Sequence, residues 1–395
     1  MRFFNTLATL LTLSLAGSAL AAPSPLKVVE KPSGEVSGKH IIKFKKGVAT
    51  RSWINKLTKG SKAAKFDIIN GIALELTTDE LNTLRASDEV ESIAEDPILY
   101  AFATQTNATW SLQRITQTAA LSTQNAAGTS FTYTYDDDAG AGVDVYVLDT
   151  GVLTTHVEFG GRARWGTSFV DETTDGHGHG THCAGTIASF TYGVAKKANI
   201  IAVQVLSSSG SGATSGIPRA NVLISISGLN WVATQAKASG RPSIVSMSLG
   251  GSASTSLDSA VATLTAAGVH VVVAAGNSNV DAANTSPARA PSAITVGAST
   301  VADARASYSN YGSVVDVFGP GSSIISTWIG SSNTATNSIS GTSMATPHVA
   351  GVAAYLISKD GNLTPAALAT KIQSLSTKNA LTDVPSGTVN YLLHI

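Results

Sequence analysis

Short, almost uniformly apolar runs recur along the chain after residue 140. They cover residues 143–148, 199–206, 244–249 and 269–275, and such runs are typical of parallel strands that are buried on both faces. Between them, Leu257, Val261 and Leu264 recur at the spacing of one helical face. This alternation of strands and helices predicts an α/β fold with a doubly wound, mostly parallel sheet.

The chain before residue 103 has a different pattern, which predicts a small α+β unit. Its elements follow the order strand, helix, strand, strand, helix and strand, which is the order of ferredoxin-like folds. The folded part is expected at about residues 39–102. The elements are a strand at 40–45, a helix at 51–57, two apolar runs around the Asn70-Gly71 turn, a helix after the capping pair Thr77 and Glu80, and a strand at 90–94.

Charge density divides these two modules. Residues 22–102 carry 23 charged side chains in 81 positions, whereas residues 103–395 carry 28 in 293 positions. The first 21 residues have the pattern of a signal peptide, with Arg2 ahead of an apolar stretch and Ala19-Leu20-Ala21 at the end. We therefore expect a secreted, extracellular protein with a signal peptide at 1–21, a first module at 22–102 and a second module at 103–395.

Composition excludes several classes of partner and bond. The 26 basic and 26 acidic side chains balance, and no basic stripe marks a nucleic-acid surface. No stretch after the signal peptide is long and apolar enough to span a membrane. Cys183 is the only cysteine, so no intrachain disulfide can form. Three sequons mark possible sites of N-glycosylation, at Asn107, Asn284 and Asn362.

Two motifs place reactive side chains just beyond strand ends, where a parallel sheet carries its active site. Asp149 follows the apolar run 143–148, and His179 lies in Gly178-His179-Gly180-Thr181-His182. A helical zinc site prefers two histidines at i and i+4 with a nearby Glu. His179 and His182 stand at i and i+3 without one, so we interpret His179 as a general base.

The third motif contains Ser343, in residues 341–348. We place Pro347 in the first turn of a helix that runs to about Tyr355, because a helix interior would not tolerate proline. Ser343 then lies at the amino end, where the helix dipole favours negative charge. Taken singly, Asp149 also fits a strand-end turn and Ser343 an ordinary helix cap.

Together the motifs predict nucleophilic catalysis, which needs a hydroxyl, a base and an orienting carboxylate. Asn277, which follows the run 269–275, offers an amide donor to a developing oxyanion. A serine esterase would carry its nucleophile in Gly-x-Ser-x-Gly, which the sequence around Ser343 lacks. The chain order Asp149, His179, Ser343 is that of subtilisin-type enzymes.

With these motifs the chain resembles the subtilases, in particular their proteinase K branch. The resemblance covers nearly all of residues 103–395. It implies a monomeric serine endopeptidase with Asp149, His179 and Ser343 as triad, polypeptide substrates and no catalytic cofactor. The matching blocks are Asp149-Thr150-Gly151, residues 178–185, Ser248-Leu249-Gly250-Gly251, residues 274–277 and residues 341–348.

The resemblance also implies binding residues. Substrate is expected against three short segments, namely Gly210, Ser211 and Gly212; Ser248, Leu249 and Gly250; and Ala274, Ala275 and Gly276. The small, uncharged residues of the third segment predict cleavage after apolar and aromatic residues. One structural calcium ion is expected on Pro291, Ala293 and Asp316, whereas a second family site lacks its acid because Ala380 occupies that position. Cys183 is expected to be a buried structural thiol.

The first module resembles the inhibitory propeptide of the family. The resemblance implies a self-processing zymogen that is cleaved between Phe102 and Ala103. One departure is a stretch at residues 218–225, about eight residues longer than the family pattern. It leaves an alternative open, a catalytically impaired homologue that binds peptides.

Overall fold

The computed structural model describes residues 25–32, 36–97, 102–208 and 222–395. These residues form two compact units, which lie within residues 1–98 and 99–395. The predicted signal peptide and the predicted substrate-binding residues Gly210, Ser211 and Gly212 lie outside the described residues. In the ranges described, no helix is both long enough and apolar enough to cross a membrane.

The first unit is a five-stranded sheet with two α-helices. Its strands are β1 (Val29–Glu30), β2 (Val36–Phe44), β3 (Ala64–Phe66), β4 (Gly71–Leu74) and β5 (Val90–Pro97), and its helices are α1 (Thr50–Ile54) and α2 (Thr78–Ala86). The sheet order is β1-β5-β2-β4-β3, and β5, β2, β4 and β3 pair antiparallel. This order confirms the predicted ferredoxin-like arrangement.

Local sequence signals explain the turns of this unit. Asn70 adopts the left-handed conformation (φ 47°) between β3 and β4, and asparagine tolerates that region better than most residues. Thr77 and Glu80 form the predicted capping box at the start of α2. Helix α1 ends at Ile54, three residues earlier than predicted. The N–H groups of residues 56–57 each bond to the carbonyl group three residues earlier, as in a 3₁₀ turn, rather than four residues earlier.

The second unit contains all the predicted site residues that lie within the described ranges. In chain order its strands are β6 (Phe102–Ala108), β7 (Phe131–Asp136), β8 (Asp144–Asp149), β9 (Ala163–Ser168), β10 (Asn199–Gln204), β11 (Ser243–Met247), β12 (Gly251–Ser252), β13 (His270–Ala274), β14 (Thr285–Ser286), β15 (Ile294–Ser299), β16 (Val317–Pro320), β17 (Ile324–Thr327), β18 (Thr336–Ile339), β19 (Thr377–Lys378) and β20 (Tyr391–Leu392). Its helices are α3 (Trp110–Arg114), α4 (His179–Ala188), α5 (Val222–Ser239), α6 (Thr255–Ala266), α7 (Thr342–Asp360) and α8 (Pro365–Leu375).

The central sheet of this unit has nine strands in the order β19-β20-β16-β15-β13-β11-β8-β10-β9. Every neighbouring pair is parallel except β19 and β20. Both faces of the sheet are covered by helices, so the predicted doubly wound α/β fold is confirmed.

Strand β8 shows why its sequence is apolar throughout. Val145 and Val147 point into a core that includes residues of α4 and α7. Tyr146 and Leu148 point into the other core, with residues of α5 and α6. Successive side chains of a strand alternate between faces, and both faces are dry here. The helices that carry His179 and Ser343 therefore lie on the same face of the sheet.

The stretch that departs from the family pattern is partly described. Residues 222–225 belong to α5, whereas residues 218–221 lie outside the described part of the chain. Within this turn Leu223 is exposed and Ser225 is buried. The described portion of the extra stretch is therefore regular helix.

Candidate active site

Asp149 and His179 form a directly bonded pair. Asp149 is the last residue of β8 and is fully buried, and its Oδ1 lies 2.7 Å from Nδ1 of His179. The same oxygen accepts a hydrogen bond of 2.7 Å from the backbone N–H of Thr150. His179 is the first residue of α4, with 15% of its side chain exposed. The pair thus has a buried carboxylate and an imidazole that solvent can reach.

The pair tunes the basicity of the imidazole. Burial lowers the pKa of His179, but the charge of Asp149 and the bond to it outweigh burial and raise the pKa well above 6.5. Among the described residues, Oδ2 of Asp149 has no hydrogen-bond partner. When His179 takes a proton, the positive charge of the imidazolium is therefore the main balance for the buried negative charge of Asp149.

A second buried carboxylate, Asp175, fixes the loop in front of His179. Asp175 accepts hydrogen bonds from the Thr150 hydroxyl at 2.9 Å and from the N–H groups of His177, Gly178 and Thr181. It also accepts from the hydroxyl of Thr181 at 2.6 Å. These bonds tie the residue after Asp149 to the first turn of α4. Sequence reasoning missed Asp175, although its place in the Asp-Gly-His-Gly-His stretch was a signal.

The first turn of α4 also approaches β8 very closely. A β-carbon on Gly180 would lie 2.1 Å from the carbonyl oxygen of Gly151 and 3.1 Å from Cβ of Asp149. Only glycine allows this approach. The close contact between α4 and β8, which brings His179 to Asp149, therefore requires glycine at position 180.

Ser343 is the second residue of α7 and is half-buried. It exchanges two hydrogen bonds with Ser248, which follows β11. The Ser343 hydroxyl donates to the carbonyl oxygen of Ser248 at 3.2 Å, and the Ser248 hydroxyl donates to the carbonyl oxygen of Ser343 at 2.8 Å. Ser343 is thereby fixed to the sheet edge.

The predicted place of Pro347 was wrong. Helix α7 extends to Asp360, and Pro347 is its sixth residue rather than part of its first turn. A proline there leaves the carbonyl group four residues earlier, on Ser343, without a helical donor. Ser248 and the thiol of Cys183, at 3.4 Å, supply that oxygen with donors instead. Helix α7 therefore tolerates an interior proline.

Cys183 lies between the two halves of the site. Its sulfur is 4.0 Å from Nδ1 of His179 and 3.4 Å from the carbonyl oxygen of Ser343. Burial raises the pKa of the thiol, so the thiol is neutral and unreactive at ordinary pH. Ser343 is thus brought to the Asp149–His179 pair through one shared neighbour.

The cluster does not have the chemistry of a metal centre. Asp149, His179 and Cys183 are the one group in the described ranges with three close metal-binding atoms. The Nδ1 atom that would face a metal is already bonded to Asp149. His182 is fully buried, and its Nε2 bonds to the carbonyl oxygen of Ile324 at 2.9 Å. The two histidines therefore bond to different partners, His179 to Asp149 and His182 to the backbone of β17.

Asn277 is exposed beyond β13, beside the first turn of α7. Its Oδ1 accepts hydrogen bonds from the N–H and the hydroxyl of Thr342 at 2.8 and 2.9 Å. With Oδ1 so occupied, Nδ2 is left as the outward donor. It lies 3.5 Å from the place of a β-carbon on Gly341, as does the N–H of Ser343. Two donors thus border one small space next to Ser343.

The structure gives the other predicted binding residues varied environments. Ser248 is buried, Leu249 is half-buried and Gly250 is exposed. Ala274 and Ala275 are buried, and Gly276 has a φ of 105°, which favours glycine.

The predicted processing and glycosylation residues are also described in part. The backbone of Phe102 and Ala103 belongs to β6, where the two residues pair with Asp136 and Tyr135 of β7. The three sequon residues Asn107, Asn284 and Asn362 are all exposed. Oδ1 of Asn362 accepts a hydrogen bond from His270 at 2.9 Å, which leaves its Nδ2 as the atom a glycan would use.

Asp316 is a half-buried carboxylate without a cationic partner among the described residues. Its oxygens accept hydrogen bonds from the N–H of Thr295 at 2.8 Å and from Gln373 at 3.0 Å. Burial raises the pKa of Asp316 to about 6. A carboxylate held by neutral donors alone suits a cation, and an oxygen donor of this kind is what calcium prefers, so Asp316 fits its predicted role as one ligand.

The chain is similar to known peptidases over nearly its whole length. The profile of the subtilase family matches residues 140–392. The cuticle-degrading protease of Metarhizium anisopliae is 48% identical over 402 aligned residues, which cover 99% of this chain and 98% of the relative. Proteinase R of Parengyodontium album is 46% identical over an alignment that covers 94% of this chain and 92% of the relative. A solved structure of a cold adapted subtilisin-like serine proteinase is 49% identical, with a TM-score of 0.63, and covers 73% of this chain and 98% of its own.

Proposed function

We propose that Asp149, His179 and Ser343 are the catalytic triad of this chain, which belongs to the subtilase family and is a serine endopeptidase of the subtilisin type. The observation that carries the proposal is the 2.7 Å contact between buried Asp149 and His179, with Ser343 held beside the same thiol. The family needs no catalytic cofactor, so the side chains themselves perform the chemistry.

In the proposed mechanism the Ser343 hydroxyl attacks the scissile carbonyl carbon while His179 takes its proton. The bond from Nδ1 of His179 to Asp149 leaves Nε2 as the atom that accepts the proton, and Asp149 stabilises the imidazolium. The negative charge that develops on the substrate oxygen is met by Nδ2 of Asn277 and the N–H of Ser343. His179 then gives the proton to the leaving amine, and water releases the acyl group from Ser343 by the reverse sequence.

We expect cleavage after apolar and aromatic residues, because Ala274, Ala275 and Gly276 present only small, uncharged groups. The test treats one sample of the purified protein with a serine-reactive phosphonate and gives unfolded casein and a peptide library to a separate, untreated sample. Ser343 should be labelled, casein should be hydrolysed, and few cuts should follow Lys or Asp. A protein that resisted labelling would be the impaired homologue instead, an alternative that the family relatives do not favour.

Calcium is proposed as a structural ion on Asp316 and the carbonyl groups of Pro291 and Ala293. An ion bound only by the folded state stabilises it by RT ln(1 + [L]/Kd), which is about 2.7 kcal/mol at a hundredfold excess over Kd. We therefore expect a chelator to lower the Tm by about 5–10 °C and to leave the triad intact.

The matched variants for this test are Asp316→Asn and Asp360→Asn. Asp360 pairs with Lys371 at 2.6 Å, so its variant should lose a little stability but keep the response to the chelator. The Asp316→Asn protein should melt at one temperature with and without chelator. If that variant still responded like the wild type, calcium would have to bind elsewhere.

The first unit is proposed as the inhibitory propeptide of a secreted, monomeric zymogen. After cleavage between Phe102 and Ala103, an extended tail could occupy the substrate cleft as an added strand. In the described conformation these residues pair with β7, so the segment must leave β7 before the enzyme can cut it.

Similar fungal proteins are named cuticle-degrading proteases, and a cuticle lies outside the cell, which supports secretion. Glycosylation at the exposed sequons would accompany that route.

A further inference from the structure

Asn310 is a buried asparagine, 2% exposed, in the segment between β15 and β16. It faces loop 275–280, by which we mean the residues from Ala275 to Val280, and this loop carries Asn277. The side chain of Asn310 donates to the carbonyl oxygen of Ala275 at 2.8 Å. Its Oδ1 accepts from the N–H groups of Ser278 and Val280, both at 3.1 Å.

The backbone of Asn310 adds a fourth bond to the same loop, from its N–H to the carbonyl oxygen of Gly276 at 2.9 Å. The four bonds reach residues on both sides of Asn277 but not Asn277 itself. A β-carbon on Gly276 would lie 2.4 Å from Nδ2 of Asn310, so the loop fits against this side chain with no room to spare. The bonds therefore fix the backbone on both sides of Asn277.

Asn310 is itself anchored to the central sheet. The hydroxyl of the preceding residue, Ser309, accepts a hydrogen bond from the N–H of Ala298 in β15 at 3.0 Å and donates to the carbonyl oxygen of Asn310 at 2.9 Å. A continuous set of buried hydrogen bonds therefore runs from β15 through Asn310 to loop 275–280. No step of this path touches Ser343 or His179.

We propose that Asn310 is a positioning residue for the oxyanion site, and that it holds loop 275–280 so that the Asn277 amide stays aimed at the developing charge. The proposal rests on the proposed role of Asn277. A donor stabilises the transition state strongly only if it is oriented before the charge appears, and small misplacements lower the rate steeply. Loss of Asn310 should therefore lower kcat by more than it raises KM, although two of its bonds also reach Ala275 and Gly276 of the proposed substrate pocket.

The test measures kcat and KM of Asn310→Ala, Asn277→Ala and the double variant on one peptide substrate. Active sites are counted by phosphonate labelling of Ser343. Asn277→Ala should lose about 10²–10³-fold in kcat. Asn310→Ala should lose about 10-fold or more in kcat, with KM within about 3-fold. In the Asn277→Ala background the same change should cost less than about 3-fold, because no side-chain donor remains to be misplaced.

Two further variants keep the test decisive. Asn310→Asp keeps the shape and acceptor but loses the bond to Ala275, and it decides the outcome if the alanine variant does not fold. Asn390→Ala is the matched control, because Asn390 likewise bonds both the N–H and the carbonyl oxygen of a backbone residue, Leu381, at 3.0 and 2.8 Å, and Leu381 is not part of loop 275–280. It should lower the Tm and leave kcat unchanged.

The possible failures are distinguishable. If Asn277→Ala lowers kcat but Asn310→Ala does not, or if the two effects multiply in the double variant, Asn310 has no positioning role and the proposed function stands. If Asn277→Ala leaves kcat unchanged, the oxyanion role of Asn277 is wrong, and the positioning role falls with it.

Discussion

Ser343→Ala should lower kcat by about 10⁶-fold, the size of effect seen when the nucleophile of a related triad is removed. The remaining hydroxyl groups cannot replace it, since the Ser248 hydroxyl donates to the Ser343 carbonyl oxygen. The variant should still fold, because the lost hydroxyl makes one bond of 3.2 Å to a neighbour. Steady-state kinetics on casein-derived peptides and phosphonate labelling measure the loss.

The same variant tests self-processing. Made without other proteases, the Ser343→Ala chain should remain uncut, whereas the wild type should begin at Ala103, or at Thr104 as the nearest alternative. Ser358→Ala is the matched control. Ser358 lies at the other end of α7, where its hydroxyl bonds to Gly140 and Tyr355. Amino-terminal sequencing decides the point, and full processing of the Ser343→Ala protein alone would rule out self-activation.

Asp149→Asn should lower kcat by about 10⁴-fold at neutral pH, because an amide can hold the imidazole in the wrong tautomer. It should also change the pH profile of the residual activity. In the wild type Asp149 raises the pKa of His179, and His179 must be neutral to act as base, so kcat/KM falls as the pH drops through that raised pKa. Without the carboxylate the pKa falls, and the acidic limb of the profile should move to lower pH.

A control on the same strand separates catalysis from folding. Asp144 is the first residue of β8, fully buried, and bonds to Arg241 at 2.8 Å. Asp144→Asn should lower the Tm but keep both kcat and the position of the acidic limb. If Asp144→Asn and Asp149→Asn reduced kcat equally, the role of Asp149 would be structural rather than catalytic.

The strands that carry the site could be predicted because they are dry on both faces. Strands β8, β10, β11 and β13 lie within the apolar runs or one residue from them. Their ends differ slightly where a polar contact intervenes. The run that was expected to reach Leu249 ends at Met247, because Ser248 turns to bond with Ser343. The remaining strands of the sheet, β9, β15, β16, β19 and β20, were not predicted, because they are short or mixed in polarity.

The supporting residues could not be predicted in the same way. Asp149, His179 and Ser343 each sit in a local motif, and Asp175 bonds backbone groups two to six residues away, whereas Asn310 bonds backbone groups that no spacing rule brings together. Asn310 lies 35 residues from Ala275 in sequence. Pro347 was misplaced for a related reason, since the donors that replace its missing N–H come from Ser248 and Cys183, 95 and 160 residues away from Ser343.

Those long separations have a consequence for the order in which the molecule acquires its reactivity. Closing long loops is slow and entropically unfavourable until much of the sheet exists. The carbonyl of Ser343 finds its two donors only after β11, α4 and α7 have met, and β11 needs its place between β8 and β13. A nascent or partly folded chain therefore holds an ordinary serine at position 343. We expect that the cell which makes this peptidase is protected during synthesis by chain topology alone, before any inhibitor has to act.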